Sequence, residues 1–234
     1  MQSGSKPLTY HNYLKIHELL DLQERRSDKE HDEMLFIIIH QVYELWFKEI
    51  LHEIDFVIQK LKVGELTRAG YKMKRILTIL KVMVHQVDIL ETMSPLEFLS
   101  FRDYLESASG FQSFQFRELE FALGKKSKLP LERFRDEPAL REQLEKRFEK
   151  PSLWEAFIIY LKNEGFEVPG TSALIDEQGA VKSNDQVQKV LIAIYKNDPD
   201  IMRFCELLLD LDEGLQEWRY RHVKMVERKK KKKK

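Results

Sequence analysis

The sequence contains one cysteine, Cys205, in 234 residues. No intramolecular disulfide is possible, a C-x-x-C-H haem attachment is excluded, and a reducing, cytoplasmic compartment is expected. Long apolar runs are missing too. The run Met34 to Ile39 is far too short to span a bilayer, so no membrane association is expected. The amino terminus, MQSGSKPLTYHNYL, lacks the charged region and apolar core of a signal peptide. An excess of one charge is also absent, since 39 basic residues balance 39 acidic ones. Six of those positives are Lys229 to Lys234, and without them 33 basic residues face 39 acidic ones. A mildly acidic body is a poor nucleic-acid binder.

Strand signals are scarce, and helical periodicity fills the chain instead. A long helix is expected from about Asp32 to Leu61, apolar nearly all round in its first half, as a central core helix would be. A second covers about Ala69 to Glu91. Ser94-Pro95-Leu96-Glu97 is a capping box with proline at the first helical position, so a new helix starts there. Ser109-Gly110 breaks it, and another helix follows through Phe114 to Leu123. Residues 124 to 152 are charged and carry three prolines, which predicts short exposed helices. Leu153 to Leu161 is helical, 168 to 186 is an excursion, and final helices cover about Asp185 to Lys196 and Pro199 to Arg228. The expected fold is all-α, a helical bundle forming one domain over residues 1–228. Residues 124–185 form its more polar part, and the lysine tail 229–234 is expected to be disordered.

Seven histidines are present. His11, His17, His31 and His52 fall on polar stretches, whereas His40, His85 and His222 fall on apolar faces. On the last helix Leu208, Leu211, Leu215, Trp218, His222 and Met225 form one stripe at spacings of three and four. An imidazole in such a stripe is either a satisfied core residue or an axial ligand in an apolar pocket, and position alone leaves both open. Other metal chemistry is poorly served. The chain has one Glu-x-x-His, Glu49 to His52, where a di-iron bundle needs two, and it has no HExxH. Cys205, among Phe204, Leu207 and Leu208, reads as inert packing. In "SFRDYLESASGFQSFQFRELEF", Ser100 to Phe121, Arg102 follows Phe98 by four and precedes Leu105 by three. A guanidinium there either grips a carboxylate ligand or sits in a salt bridge. Ser109-Gly110 allows a close backbone approach beside a hydroxyl.

Four separated stretches, "LTYHNYLKIHELLDLQ", "HDEMLFIIIHQVYELWFKEILHE", "SFRDYLESASGFQSFQFRELEFALG" and "WRYRHVKMVER", together closely resemble the tryptophan 2,3-dioxygenase family. The resemblance covers most of residues 8 to 228. It implies an all-α, non-covalent haem b enzyme, a homotetramer that inserts O2 across the indole C2–C3 bond of L-tryptophan to give N-formylkynurenine. By motif, His222 would be the axial ligand of the haem iron, with Trp218 on the same stripe beside the cofactor. His40 would meet the indole N–H as the catalytic histidine, and Phe36 would line the indole pocket. Arg102 would hold the substrate carboxylate between Phe98 and Leu105, with Ser109 and Gly110 beside haem and dioxygen. Tyr10, Tyr13 and Leu14 match residues that, in the family, reach into the neighbouring subunit's site. The family also has a glycine- and serine-rich loop with a threonine after the axial-histidine helix, which this sequence lacks. A second reading is therefore a haem-binding helical protein of the same fold with weak or no catalysis. A third is a helical interaction module without cofactor.

Overall fold

The structure, a computed structural model, describes residues 7–106, 108, 110–176 and 179–230. Two short helices, α1 (Tyr10–Leu14) and α2 (Ile16–Leu20), precede a long pair, α3 (Glu33–Lys62) and α4 (Leu66–Glu91). The link between the long helices is so tight that Gly64 adopts φ +74°, a conformation glycine reaches without strain. Helix α5 (Pro95–Arg102) is followed by α6 (Phe114–Leu123), α7 (Leu129–Arg133), α8 (Pro138–Glu149) and α9 (Leu153–Asn163). Helices α10 (Asp185–Asn197) and α11 (Pro199–Lys230) close the described chain. Among the described residues no strand forms, and Ile175 and Val181 make only an isolated antiparallel bridge. The all-helical expectation holds. No helix among the described residues is long and apolar enough to cross a membrane.

The bundle is built on α3, which packs against α4, α6 and α9, while α11 lies along α4. Its buried positions, Ile39, Tyr43, Phe47, Ile50, Ile54, Val57 and Leu61, step by three and four and so line one face. The opposite face is not buried in this chain. Ile38 and Leu45 stay exposed, so α3 is central without being enclosed all round, as the apolar run alone had suggested.

Helix α5 begins as its sequence predicts. Ser94 Oγ accepts from Glu97 N at 3.3 Å, and Ser94 N donates to Glu97 Oε2 at 2.5 Å. The 124–152 stretch departs from expectation. It is not merely surface, because Phe121, Leu131, Phe134 and Leu144 form a second apolar cluster beneath α7 and α8. Arg147 of α8 then reaches back as a bidentate partner of Asp55 on α3, at 2.9 Å for its second contact. Of the lysine tail, Lys229 and Lys230 extend α11, and residues 231–234 lie outside the described residues.

Candidate active site

The face of α3 that begins at Phe36 carries His40 one turn later, then Tyr43 and Phe47. The Phe36 and His40 rings are 4.0 Å apart. His40 Nδ1 lies 2.6 Å from the Phe36 carbonyl oxygen. A carbonyl can only accept, so Nδ1 carries the proton, and in the neutral ring Nε2 is the acceptor. The residue thus has a fixed tautomer before any ligand is considered.

Opposite, α11 presents the predicted stripe. Leu211, Trp218 and Met225 are buried, and Leu208, Leu215 and His222 are half-buried. Trp218 fills the contact between the two helices, its ring 5.8 Å from Tyr43, 5.6 Å from Phe47 and 5.5 Å from Phe116 of α6. Tyr43 is pinned from the other side, its hydroxyl donating to the Met83 carbonyl of α4 at 3.1 Å. Burial pushes that phenol up to about 12. His222 lies parallel to Trp218, with ring centres 5.6 Å apart. Burial lowers the His222 pKa, and His40 is near enough to lower it further by charge repulsion. Neutral imidazole is therefore its ordinary state.

Helix α5 brings up the third wall. Phe98 and Phe101 stand 5.9 and 5.6 Å from Phe36. Phe101 is fully buried and fixes the helix, while Phe98 and Arg102 are half-buried. Arg102 Nη1 donates to the Glu106 carbonyl at 3.1 Å and has no carboxylate partner among the described residues. Glu106 itself adopts φ +48°, which strains a side-chain-bearing residue. The salt-bridge reading of Arg102 is thereby replaced. Its charge is held by a neutral carbonyl at a strained turn.

Leu105 is half-buried against the core. Gly110 is exposed at a 3₁₀ turn, and a Cβ there would meet nothing within 4 Å among the described residues. Ser109 lies outside the described residues. Tyr10, Tyr13 and Leu14 sit on α1, which buries none of its residues, and all three side chains are exposed. His85 is a correction. Its side chain is 81% exposed, because the buried face of α4 passes through Val84 and Val87 and leaves residue 85 pointing outward. Cys205 is buried and its thiol is pushed up to about 11, which disfavours the nucleophilic thiolate.

Residues the sequence analysis did not single out complete the site. Tyr43 and Phe47 follow His40 by three and seven, a spacing that could have found them. Phe101 and Phe116 had no such signal. Among the described residues no group of three His, Cys, Asp or Glu side chains gathers as a metal cluster. Two cavities are bordered by residues other than the two histidines. One, about 690 Å³, is polar and bordered by Glu65, Tyr160, Glu164 and Asp198; the other, about 560 Å³, is apolar and bordered by Phe116, Trp154, Phe157 and Leu215.

Fold and site together define an all-helical protein in which a neutral, half-buried imidazole and a second, tautomer-fixed one sit in an aromatic interior. A sequence model of the tryptophan 2,3-dioxygenase family matches residues 1–172. Tryptophan 2,3-dioxygenase from Herpetosiphon aurantiacus is 53% identical over 96% of this chain and 86% of its own length. Those of Anaeromyxobacter sp. strain K and Caulobacter vibrioides are 46% and 39% identical, each over 96% of this chain and 84% and 86% of their own lengths. The chain belongs to the tryptophan 2,3-dioxygenase family.

Proposed function

We infer that the protein is a tryptophan 2,3-dioxygenase, an oxidoreductase that adds both atoms of O2 across the indole C2–C3 bond of L-tryptophan and releases N-formylkynurenine. Family membership at 53% identity carries this reading, and it favours catalysis over the reading of an inactive haem-binding protein of the same fold.

The residues present fit a haem. His222 is a neutral imidazole on an apolar stripe, and such a donor would suit haem iron in a low-dielectric pocket. We propose that His222 would hold the haem iron, with Trp218, Ser109 and Gly110 among the residues that would line the haem pocket. When bound, haem supplies the oxygen chemistry.

The other roles belong to the chain's own side chains. Arg102 would release the Glu106 carbonyl and take the substrate carboxylate as a two-pronged partner, a stronger acceptor for guanidinium than a neutral oxygen. Phe36, Phe98 and Leu105 would hold the indole and exclude water. His40 would accept the indole N–H at Nε2, because its Nδ1 proton is committed to the Phe36 carbonyl. Selection of tryptophan over simple indoles follows, since a ligand without a carboxylate leaves the arginine charge unmatched.

We further propose a cytoplasmic homotetramer in which Tyr10, Tyr13 and Leu14 enter the neighbouring copy's site. Their exposure on α1 supports this, as three large apolar or aromatic side chains are left without cover in their own chain. Residues 1–228 are proposed to act as one domain. Haem reconstitution followed by N-formylkynurenine assay tests the reading. Haem loading with no product formed from L-tryptophan and O2 would reject it.

A further inference from the structure

Between α2 and α3 the chain does not wander over the surface. Gln41 Nε2 donates to the Leu22 carbonyl at 2.8 Å, and Gln23 Nε2 donates to Gln41 Oε1 at 2.6 Å. Nearer the start of α3, the Glu33 carboxylate accepts from Arg26 N at 2.7 Å, from Ser27 N at 2.9 Å and from the Ser27 hydroxyl. Glu33 is only 1% exposed and Ser27 only 4%. A carboxylate removed from water to this degree is costly unless its oxygens are satisfied, and here they are satisfied entirely by this turn. Those hydrogen bonds hold the Glu33 pKa below the usual carboxylate value against its desolvation.

The register gives the arrangement its meaning. Glu33 and Gln41 are eight residues apart, about 12 Å along the helix axis. Leu22 and Ser27 are five residues apart, which spans at most about 17 Å when fully extended. Anchored at both ends, the strap 22–27 therefore runs back along α3. Its two anchors bracket Phe36 and His40, and Glu33 shares their face, three residues before Phe36 and seven before His40. The described residues N-terminal to the strap, including Tyr10, Tyr13 and Leu14, leave the bundle from the Gln41 anchor.

We propose that Glu33 is a positioning residue: with Gln41 it clamps the strap 22–27 along the His40-bearing face, and so aims the N-terminal arm at the active site of a second copy of this chain. The inference rests on the reading that Tyr10, Tyr13 and Leu14 serve the neighbouring site. A strap anchored on the same helix as His40 delivers the arm at a fixed angle, where a loose linker would have to order it on binding.

Haem-loaded Glu33→Gln enzyme tests this, because the amide keeps the shape but loses a charge-assisted acceptor. The KM for L-tryptophan should rise about tenfold, the worth of one hydrogen bond to a charged group, with the Soret band unchanged. Ser27→Ala, which keeps both backbone donors, should move KM the same way by less, and it decides the matter if Glu33→Gln does not fold. Mixed oligomers are then made from Glu33→Gln chains and an excess of His222→Ala chains, so that the haem-bearing sites receive intact arms. Their KM per haem should return to the wild-type value. A KM still raised in the mixed oligomer would place the effect within the same chain and overturn the proposal, as would wild-type KM values in both single variants. Tyr13→Ala separates the underlying reading: unchanged KM there rejects the shared arm itself, whereas raised KM there with normal Glu33→Gln rejects only the clamp.

Discussion

Trp218 and His222 lie one turn apart on α11 with their rings 1° from parallel and 5.6 Å between centres. The indole is held on its other sides by Tyr43, Phe47 and Phe116, so it acts as a fixed plate against which the imidazole is set. Trp218→Ala should destabilise the fold by about 3 kcal/mol, as deletion of a large core aromatic does, and should free the His222 ring to rotate. Haem affinity should fall in Trp218→Ala and recover largely in Trp218→Phe. Urea unfolding and haem titration of the two variants check both effects.

Arg102→Leu should leave haem binding intact and raise the KM for L-tryptophan by about 30-fold or more, a cost of roughly 2 kcal/mol for one lost charged partner. The affinity for indole itself should not fall, since the variant removes only the charge that an indole without a carboxylate leaves unmatched. Parallel titrations with tryptophan and indole make the comparison. Equal loss for both ligands would remove Arg102 from carboxylate recognition.

The lowered His222 pKa has a signed consequence for stability. Between its folded value and the ordinary 6.5, the unfolded chain holds more proton than the folded one. Stability of the haem-free protein should therefore fall as pH drops below 6.5 and gain nothing from this group above it. His222→Leu should flatten that slope. Unfolding midpoints measured from mildly acidic to neutral pH test it, and an identical slope in the variant would count against the assigned burial.

Ser94→Ala removes one half of the capping box that starts α5. The expected loss is about 1 kcal/mol, or about 2–4 °C in Tm for a chain of this size. Because Phe101 still anchors the helix, Arg102 function should be nearly unchanged. A thermal melt beside a tryptophan KM measurement separates the two.

Much of this architecture was legible in residue spacing. The α5 start, the α11 stripe and the Phe36–His40 pair are local patterns, fixed by hydrogen bonds or helical period within a few residues. What stayed hidden depends on contacts between distant segments. Phe116 meets Trp218 only because α6 and α11 converge, and Arg147 finds Asp55 across 92 residues. His85 misled because a histidine between valines looks apolar in sequence, though its angle on α4 turns it outward. Glu33 carries no signal in the sequence beyond its place near a helix start. Its burial is set by a turn whose hydrogen bonds no periodicity records.

The central claim is that His222 holds a haem whose neighbouring side chains bind L-tryptophan. The optical spectrum of the haem-reconstituted protein, recorded with and without L-tryptophan for wild type and His222→Ala, tests it most directly. A Soret band that shifts on adding tryptophan in the wild type, and is lost in His222→Ala, is the predicted result. A band that persists unchanged in His222→Ala, or a folded wild-type protein that takes up no haem, would contradict it.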